Sequence, residues 1–158
     1  MAYLGTFTSG QVLTAAELNS LNALTYYQTV VTSLSFTSGA STTVSWAAGD
    51  LQIDTGGWFN TTTSRFTPTI AGYYSVTCNL NFTANAGAIA WLLLSKNATA
   101  IARHTSNLAT SGATSGLSVS TIIYLNGTTD YMIASGLQSS GGAVTSTSRN
   151  FSAYLLRK

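Results

Sequence analysis

Few residues in this chain could carry out chemistry. It has one histidine, His104, and four acidic residues: Glu17, Asp50, Asp54 and Asp130. A catalytic triad needs a nucleophile, a histidine and an acid to meet at one place, and here the histidine and the acids are spread along the whole sequence. The segment Gly112-Ala113-Thr114-Ser115-Gly116 superficially suggests a nucleophile elbow, but its composition is that of a loop. We therefore predict that the protein is not an enzyme and uses no cofactor.

His104 and the pair Asp50 and Asp54 could bind a ligand, or they could have purely structural roles. His104 could contact a sugar or a metal, but a lone histidine on a strand is more simply explained as a side chain bonded to a neighbour. Asp50 and Asp54 flank Leu51-Gln52-Ile53 and could offer oxygen ligands to calcium. Aspartates that shape turns explain the pair equally well. Because no third acid lies nearby, we predict no metal site.

Charge is scarce and dispersed, with six basic and four acidic residues among 158. The basic residues form no run longer than two, so we predict no nucleic-acid partner. The longest apolar run, 86–94, is far shorter than the ~20 residues of a membrane span, and no signal segment follows Met1. These features predict folding in a reducing cytosol and no membrane partner. Cys78 is the only cysteine and is expected in the core.

The elements that would position these residues are mostly strands. Residues 72–83 alternate strictly, with Tyr74, Val76 and Cys78 on one face and Tyr73 and Ser75 on the other. Pro68 lies just upstream of this strand, and Gly72, at its start, is expected to permit the turn that leads the chain into it. Eight strands are predicted in all, at 30–36, 42–46, 72–83, 89–95, 99–104, 117–125, 130–135 and 150–157. Such a set is typical of an all-β, two-sheet jelly-roll sandwich.

The first 29 residues differ from the rest. Thr14 and Glu17 have the spacing of a capping box, and Leu13 and Leu18 occupy the staple positions. Leucines at 18, 21 and 24 then form a narrow apolar stripe along a helix predicted from Ala15 to about Tyr27. So short a helix is marginal alone and must dock on something. We predict an arm at 1–29 and a head domain at 30–158.

Three motifs resemble the tumour-necrosis-factor-like jelly roll, the superfamily that includes the globular heads of the first complement component. The first comprises Phe59, Arg65, Phe66, Pro68, Gly72, Tyr74 and Val76. Residues 125–132 are similar to the family's turn and strand, with two additional threonines, and 150–156 resemble its closing strand. The resemblance covers roughly the last three quarters of the chain. It implies a homotrimer whose inner sheets meet on a three-fold axis.

The aromatic residues could stack on sugars, fill the core or form a subunit interface. They are Trp46, Trp58, Phe59, Tyr73, Tyr124, Tyr131 and Tyr154. Both faces of the last strand are apolar, with Phe151, Ala153 and Leu155 on one and Tyr154 and Leu156 on the other, so a second covering surface is needed. On the family resemblance, the residues predicted at the trimer interface are Tyr73, Tyr124, Tyr154 and Leu156.

Residues 7–21 are similar to a short N-terminal module of bacteriophage virion proteins. That resemblance implies docking on a major capsid protein or another virion protein. The expected docking residues are Tyr3, Phe7, Val12, Leu13, Thr14, Glu17, Leu18 and Leu21. The sequence thus predicts a virion-surface protein that decorates or cements the capsid. The alternative is a receptor-binding fibre tip that recognises host carbohydrate through Ser/Thr/Asn/Gly loops.

Overall fold

The computed structural model describes residues 25–30, 33–83, 88–107 and 114–158, which form two packed six-stranded sheets. Sheet A contains β1 (Thr25–Val30), β2 (Leu34–Phe36), β4 (Leu51–Asp54), β7 (Gly72–Thr83), β10 (Thr114–Leu125) and β12 (Val144–Arg157). Its order is β10-β7-β12-β1-β4, and β2 also pairs with β12. All of these pairings are antiparallel.

Sheet B contains β3 (Thr42–Thr43), β5 (Phe59–Asn60), β6 (Arg65–Phe66), β8 (Ile89–Lys96), β9 (Thr99–Asn107) and β11 (Met132–Gln138). Its order is β5-β6-β11-β8-β9, with β3 paired to β11. A single turn of 3₁₀ helix, Ala48–Asp50, precedes β4. Among the described residues, no helix is long and apolar enough to cross a membrane.

The core lies between the sheets and is built by alternation. On β7, the inward side chains from Tyr74 to Phe82 are fully buried, while the intervening side chains are at least partly accessible. Cys78 belongs to the buried set, and its burial raises the pKa of the thiol to about 12. The expectation that Cys78 is a core residue is therefore confirmed.

An aromatic cluster closes one end of the core. The ring centroid of Phe66 lies 5.8 Å from that of Tyr74 and 6.2 Å from that of Phe151. The Trp58 ring centroid lies 6.0 Å from that of Phe66 in an edge-to-face contact. The Tyr74 hydroxyl donates a 2.7 Å hydrogen bond to the Ile70 carbonyl, and burial raises its pKa. Several residues of the family-like motif are thus central to packing at this end.

The two ends of the sandwich can be named by the strands that reach them. We call the end at which β1 begins the base; β7 and β11 also begin there, and β10 and β12 end there. We call the opposite end the tip. It carries loops 37–41 and 139–143 and the far ends of β7, β8, β9 and β10.

At two glycines of the base, another backbone segment approaches so closely that a side chain would not fit. Gly127 has a φ of 71°, and a Cβ atom there would lie 2.4 Å from the amide nitrogen of Ala71. At Gly72, a Cβ atom would lie 2.5 Å from the Arg157 carbonyl oxygen. The predicted reason for Gly72 was therefore wrong: it lies within β7 and makes room for β12, rather than forming a turn.

The strand predictions are confirmed in type and differ in extent. Residues 72–83 form β7 as predicted, whereas β12 begins six residues before the predicted start at Asn150. The short strands β4, β5 and β6 were not predicted. The predicted strand at 30–36 is divided, and its first part belongs to β1. Since β1 starts at Thr25, the helix predicted to about Tyr27 cannot extend over 25–27, and the head includes residues assigned to the arm.

Candidate interaction surface on sheet A

The outward face of sheet A carries most of the exposed large apolar side chains. Eight such side chains occur among the described residues, and only Ile89 and Ile101 lie on sheet B. The other six are on sheet A: Ile53, Tyr73, Ile122, Tyr124, Tyr154 and Leu156. Scattered exposed apolar residues are ordinary in soluble proteins, but a contiguous group is typical of an interaction surface.

Five of the six lie together at the base, and we call this group the tyrosine patch: Tyr73, Ile122, Tyr124, Tyr154 and Leu156. Tyr124 pairs with Tyr73 across β10 and β7, and their ring centroids are 5.4 Å apart. In the next row toward the tip, Ile122 and Tyr154 flank Ser75. The Arg157 guanidinium lies 5.0 Å from the Tyr73 ring centroid. The patch therefore crosses three adjacent strands.

The same face becomes polar toward the tip. The Asn79 amide donates a 2.6 Å hydrogen bond to the Asn150 side chain, and Asn81 donates a 2.8 Å bond to Ser148. Because these bonds join β7 to β12 through side chains, they satisfy polar groups within the sheet itself. The outward face of sheet A thus divides into an apolar half at the base and a hydrogen-bonded half toward the tip.

Charged groups also concentrate at the base. Asp130 and Lys96 form an ion pair with a 2.8 Å separation, and Lys96 also donates to the Tyr124 carbonyl. The Lys96 hydrogen bond, followed by that from Asn97, lowers the pKa of the Asp130 carboxyl. Its other oxygen accepts from Asn97, while the Asn126 backbone donates to the oxygen nearest Lys96. This network fastens the β8–β9 hairpin of sheet B to the end of β10 in sheet A.

Neutral hydrogen bonds organise the tip. The fully buried Gln138 amide donates to the carbonyls of Phe36 and Gly142, at 2.9 and 2.7 Å, and its oxygen accepts from the Ser140 amide at 2.6 Å. Within residues 36–41, 82–83, 88–89, 107, 114 and 138–144, no side chain is charged. Sequence reasoning missed Gln138, because an isolated glutamine gives no pattern.

The candidate catalytic and metal-binding residues have structural partners. The two Asp54 carboxylate oxygens accept the amides of Trp58 and Phe59, and Asp50 accepts the Ala47 amide. Both aspartates shape turns, which was one of the two predicted roles, the other being calcium ligands. His104 Nδ1 lies 3.0 Å from the Ser118 amide nitrogen and links β9 to β10. The described residues include no group of three His, Cys, Asp or Glu side chains placed to hold a metal.

The aromatic candidates separate into two classes. Trp46 and Trp58 are buried, and Phe59 packs against the same core. Tyr131 is half-buried beneath the Arg65 guanidinium, 4.1 Å from its ring centroid. Of these aromatic candidates, only the three tyrosines of the patch are broadly exposed. They are therefore the only ones of this set that could stack on a sugar.

All four residues predicted at a trimer interface belong to the tyrosine patch. Sequence reasoning missed Ile122, which is 65% exposed and the most accessible of the group. Its spacing from Tyr124 would have identified it, because residues two apart on a strand share a face. The predicted docking residues between Tyr3 and Leu21 lie outside the described residues, and their role stays a prediction.

Comparison with known proteins supports the fold. The chain matches no family model, and no curated protein matches it. The solved structure of the Eiger TNF from S. frugiperda resembles it with a TM-score of 0.54 and 10% identity, over 85% of this chain and 94% of that chain. Likeness at such low identity concerns the fold alone. The predicted fold is confirmed: the protein is an all-β, two-sheet jelly roll of the tumour-necrosis-factor-like type.

Proposed function

We propose that this protein is a structural component of a bacteriophage virion, a homotrimer that docks on the particle and decorates or cements the capsid surface. The observation that carries the proposal is the tyrosine patch, an exposed apolar group on one face of sheet A. It includes the second apolar face of β12, with Tyr154 and Leu156 exposed, and this is the face that needs a covering surface. The resemblance of residues 7–21 to a module of bacteriophage virion proteins is the reason for proposing a virion as the particle.

The trimer follows from what the patch needs. Large exposed aromatic and aliphatic side chains are stabilised when a partner removes them from water, and a symmetric assembly can cover three copies of the patch at once. No charged side chain belongs to the patch, so burying it removes few ions from water. Arg157 lies at its margin over Tyr73 and can keep its charge in solvent.

Attachment is assigned to the residues before β1. They join the head at the base, whereas the uncharged loops of the tip lie at the other end of the sandwich. An arm anchored in a particle would therefore hold the tip outward. This geometry also favours the alternative function, a fibre tip that binds host carbohydrate, because loops rich in Ser, Thr and Gly would then face the host.

The test is to mix purified trimers with particles that lack this protein and to count bound copies. Residues 25–158 are compared with the full chain, since a cut after residue 24 preserves β1. We expect the truncated head to stay folded and trimeric but to lose attachment, because linked arms multiply a weak contact by ~10²–10⁴. Full attachment of the truncated head would contradict the arm's role. Hundreds of copies per particle favour capsid decoration, and a handful favours the fibre tip.

A further inference from the structure

The outward face of sheet B contains an open groove. Its volume is about 260 Å³, and it is lined by one residue of β8 and four of β9: Leu93, Ala100, Ile101, Ala102 and Arg103. The ladder between these strands is irregular here, because Leu94 pairs with Ala102 but Ser95 pairs with Ala100. Ile101 is therefore the additional residue of a β-bulge, a feature that re-aims side chains within a sheet.

Apolar side chains continue from the groove along the same face. On β8, alternate residues such as Leu92 are fully buried in the core. Trp91 and Leu93 therefore lie on the outward face, where both are half-buried. Leu137 of β11 pairs with Trp91 and is half-buried as well. This apolar band belongs to the other sheet than the tyrosine patch, so the two surfaces face away from one another.

Arg103 gives the groove a positive charge that no acid balances. Among the described residues, nothing forms a hydrogen bond, ion pair or aromatic contact with its exposed guanidinium group. By contrast, Arg65 lies over the Tyr131 ring, and Lys96 pairs with Asp130. The six strands of sheet B contain these three cations and no aspartate or glutamate. The electrostatic field at this face therefore favours an acidic partner.

We propose that this groove docks an extended acidic segment of a partner protein, with an aliphatic side chain in the groove and a neighbouring carboxylate on Arg103. A guanidinium can bind a carboxylate through two parallel hydrogen bonds, and the aliphatic lining gains from removing an apolar side chain from water. This interaction depends neither on the proposed trimer nor on the proposed particle.

The lining favours a peptide over a sugar or a small molecule. Arg103 is the only polar side chain in the groove, whereas the hydroxyls of a docked sugar each need a hydrogen-bond partner. The volume of about 260 Å³ is also below the ~300–1,000 Å³ typical of small-molecule pockets. One or two side chains of a peptide suit a groove of this size.

Fluorescence anisotropy with a labelled peptide and the full chain tests the proposal. The probe is a capped peptide of alternating leucine and aspartate, and two control peptides replace every aspartate by asparagine or every leucine by serine. We expect the probe to bind about ten-fold more tightly than either control, because only the probe offers both an aliphatic side chain and a carboxylate. Added salt should weaken the binding of the probe, since the ion pair is exposed.

Two variants isolate the contribution of the cation. Arg103→Gln changes an exposed side chain, so the protein should fold normally, as circular dichroism will report, and should lose its preference for the aspartate peptide over the asparagine peptide. Arg65→Gln is the matched control, because it removes a cation of the same sheet that the Tyr131 ring already engages. Its affinity for the probe should stay within roughly two-fold of the parent protein.

Three outcomes would overturn the proposal. The first is equal affinity of Arg103→Gln and the parent protein for the aspartate peptide. The second is no binding of that peptide to the parent protein. The third is an alginate oligosaccharide that binds through Arg103 more tightly than the peptide, because the partner of this face would then be an acidic glycan.

Discussion

The base and the tip of this sandwich are built from different chemistry. The base carries the tyrosine patch and six of the nine charged side chains in the described residues: Asp54, Arg65, Lys96, Asp130, Arg157 and Lys158. The described part of the tip carries no charge, and a buried glutamine holds its loops through neutral bonds. Apolar groups exposed beside charges suit an interface with a polar rim. Loops whose polar groups are hydrogen-bonded to one another need no partner, and they suit an end that faces solvent.

This contrast bears on how the proposed assembly would be specific in a chain with so few charges. Exposed sheet faces and edges invite indiscriminate association when charges are scarce. Here five of the six exposed large apolar side chains on sheet A lie at one end, and hydrogen-bonded asparagine and serine pairs lie on the same face toward the tip. The proposed trimer would therefore form at one end of one face.

The largest effect is expected from a charge placed in the tyrosine patch. Tyr154→Asp should convert the proposed trimer to folded monomers, because the side chain is exposed in the single chain but would be buried in an interface of on the order of 2,000 Å². Ile101→Asp is the control, since Ile101 is similarly exposed, at 37%, but lies on sheet B. Light scattering and circular dichroism report mass and folding. If the Tyr154→Asp protein remains trimeric, the patch is not the interface.

A smaller effect is expected at the tip, on stability rather than assembly. Gln138→Leu fills a similar volume but leaves the carbonyls of Phe36 and Gly142 and the amide of Ser140 without their partner. A buried unsatisfied group costs about 1–3 kcal/mol. The bond to Phe36 is buried, whereas those to Gly142 and Ser140 are only partly buried, so water can replace part of what they lose, and we expect a total loss of about 2–4 kcal/mol with the proposed trimer intact. Denaturant unfolding measures this loss. Dissociation of the trimer at native conditions would show instead that the tip takes part in assembly.

The sequence was sufficient where one physical signal dominated. Strict alternation located β7 at both ends, and the spacing of Tyr154 and Leu156 indicated that β12 is apolar on both faces. The sequence alone was not sufficient to predict strands that form only through long-range contacts. Strands β5 and β6 are two residues each and depend on pairing with one another and with Met132. The first part of β12 is polar, and its position is fixed by pairing with β2 and β7.

The arm boundary illustrates a competition between two signals. The leucine stripe favoured helix as far as Tyr27, while Thr25-Tyr26-Tyr27-Gln28-Thr29-Val30 is rich in residues that favour strands. Pairing with both β12 and β4 decided in favour of the strand. Of the patch, four residues were identified from the sequence, but their convergence depends on the register between three strands.

The ion pair at the base should add a dependence on pH. The folded pKa of Asp130 is lowered, so its contribution is fully present above the unfolded value of about 3.9 and is lost as the pH falls through the folded value. Asp130→Asn should cost about 1–2 kcal/mol at pH 7 through weaker bonds to Lys96 and Asn97. It should also flatten the decline in stability below pH 4. Unfolding measured at pH 7 and pH 3 checks both effects, and equal losses at the two pH values would contradict this role.

The smallest effect is expected halfway between the two ends, at His104. Its Nδ1 lies within hydrogen-bond distance of the Ser118 amide, where β9 of sheet B meets β10 of sheet A. His104→Ala removes this partner from a solvent-exposed amide that water can reach, so we expect a loss of about 1 kcal/mol or less. His104→Asn is the control, because its amide oxygen can accept a bond at a similar distance from the backbone. Neither change should alter oligomeric mass or particle attachment. A hydrolytic activity in the parent protein that both variants lack would instead make His104 a catalytic residue and overturn the proposal that this protein is purely structural.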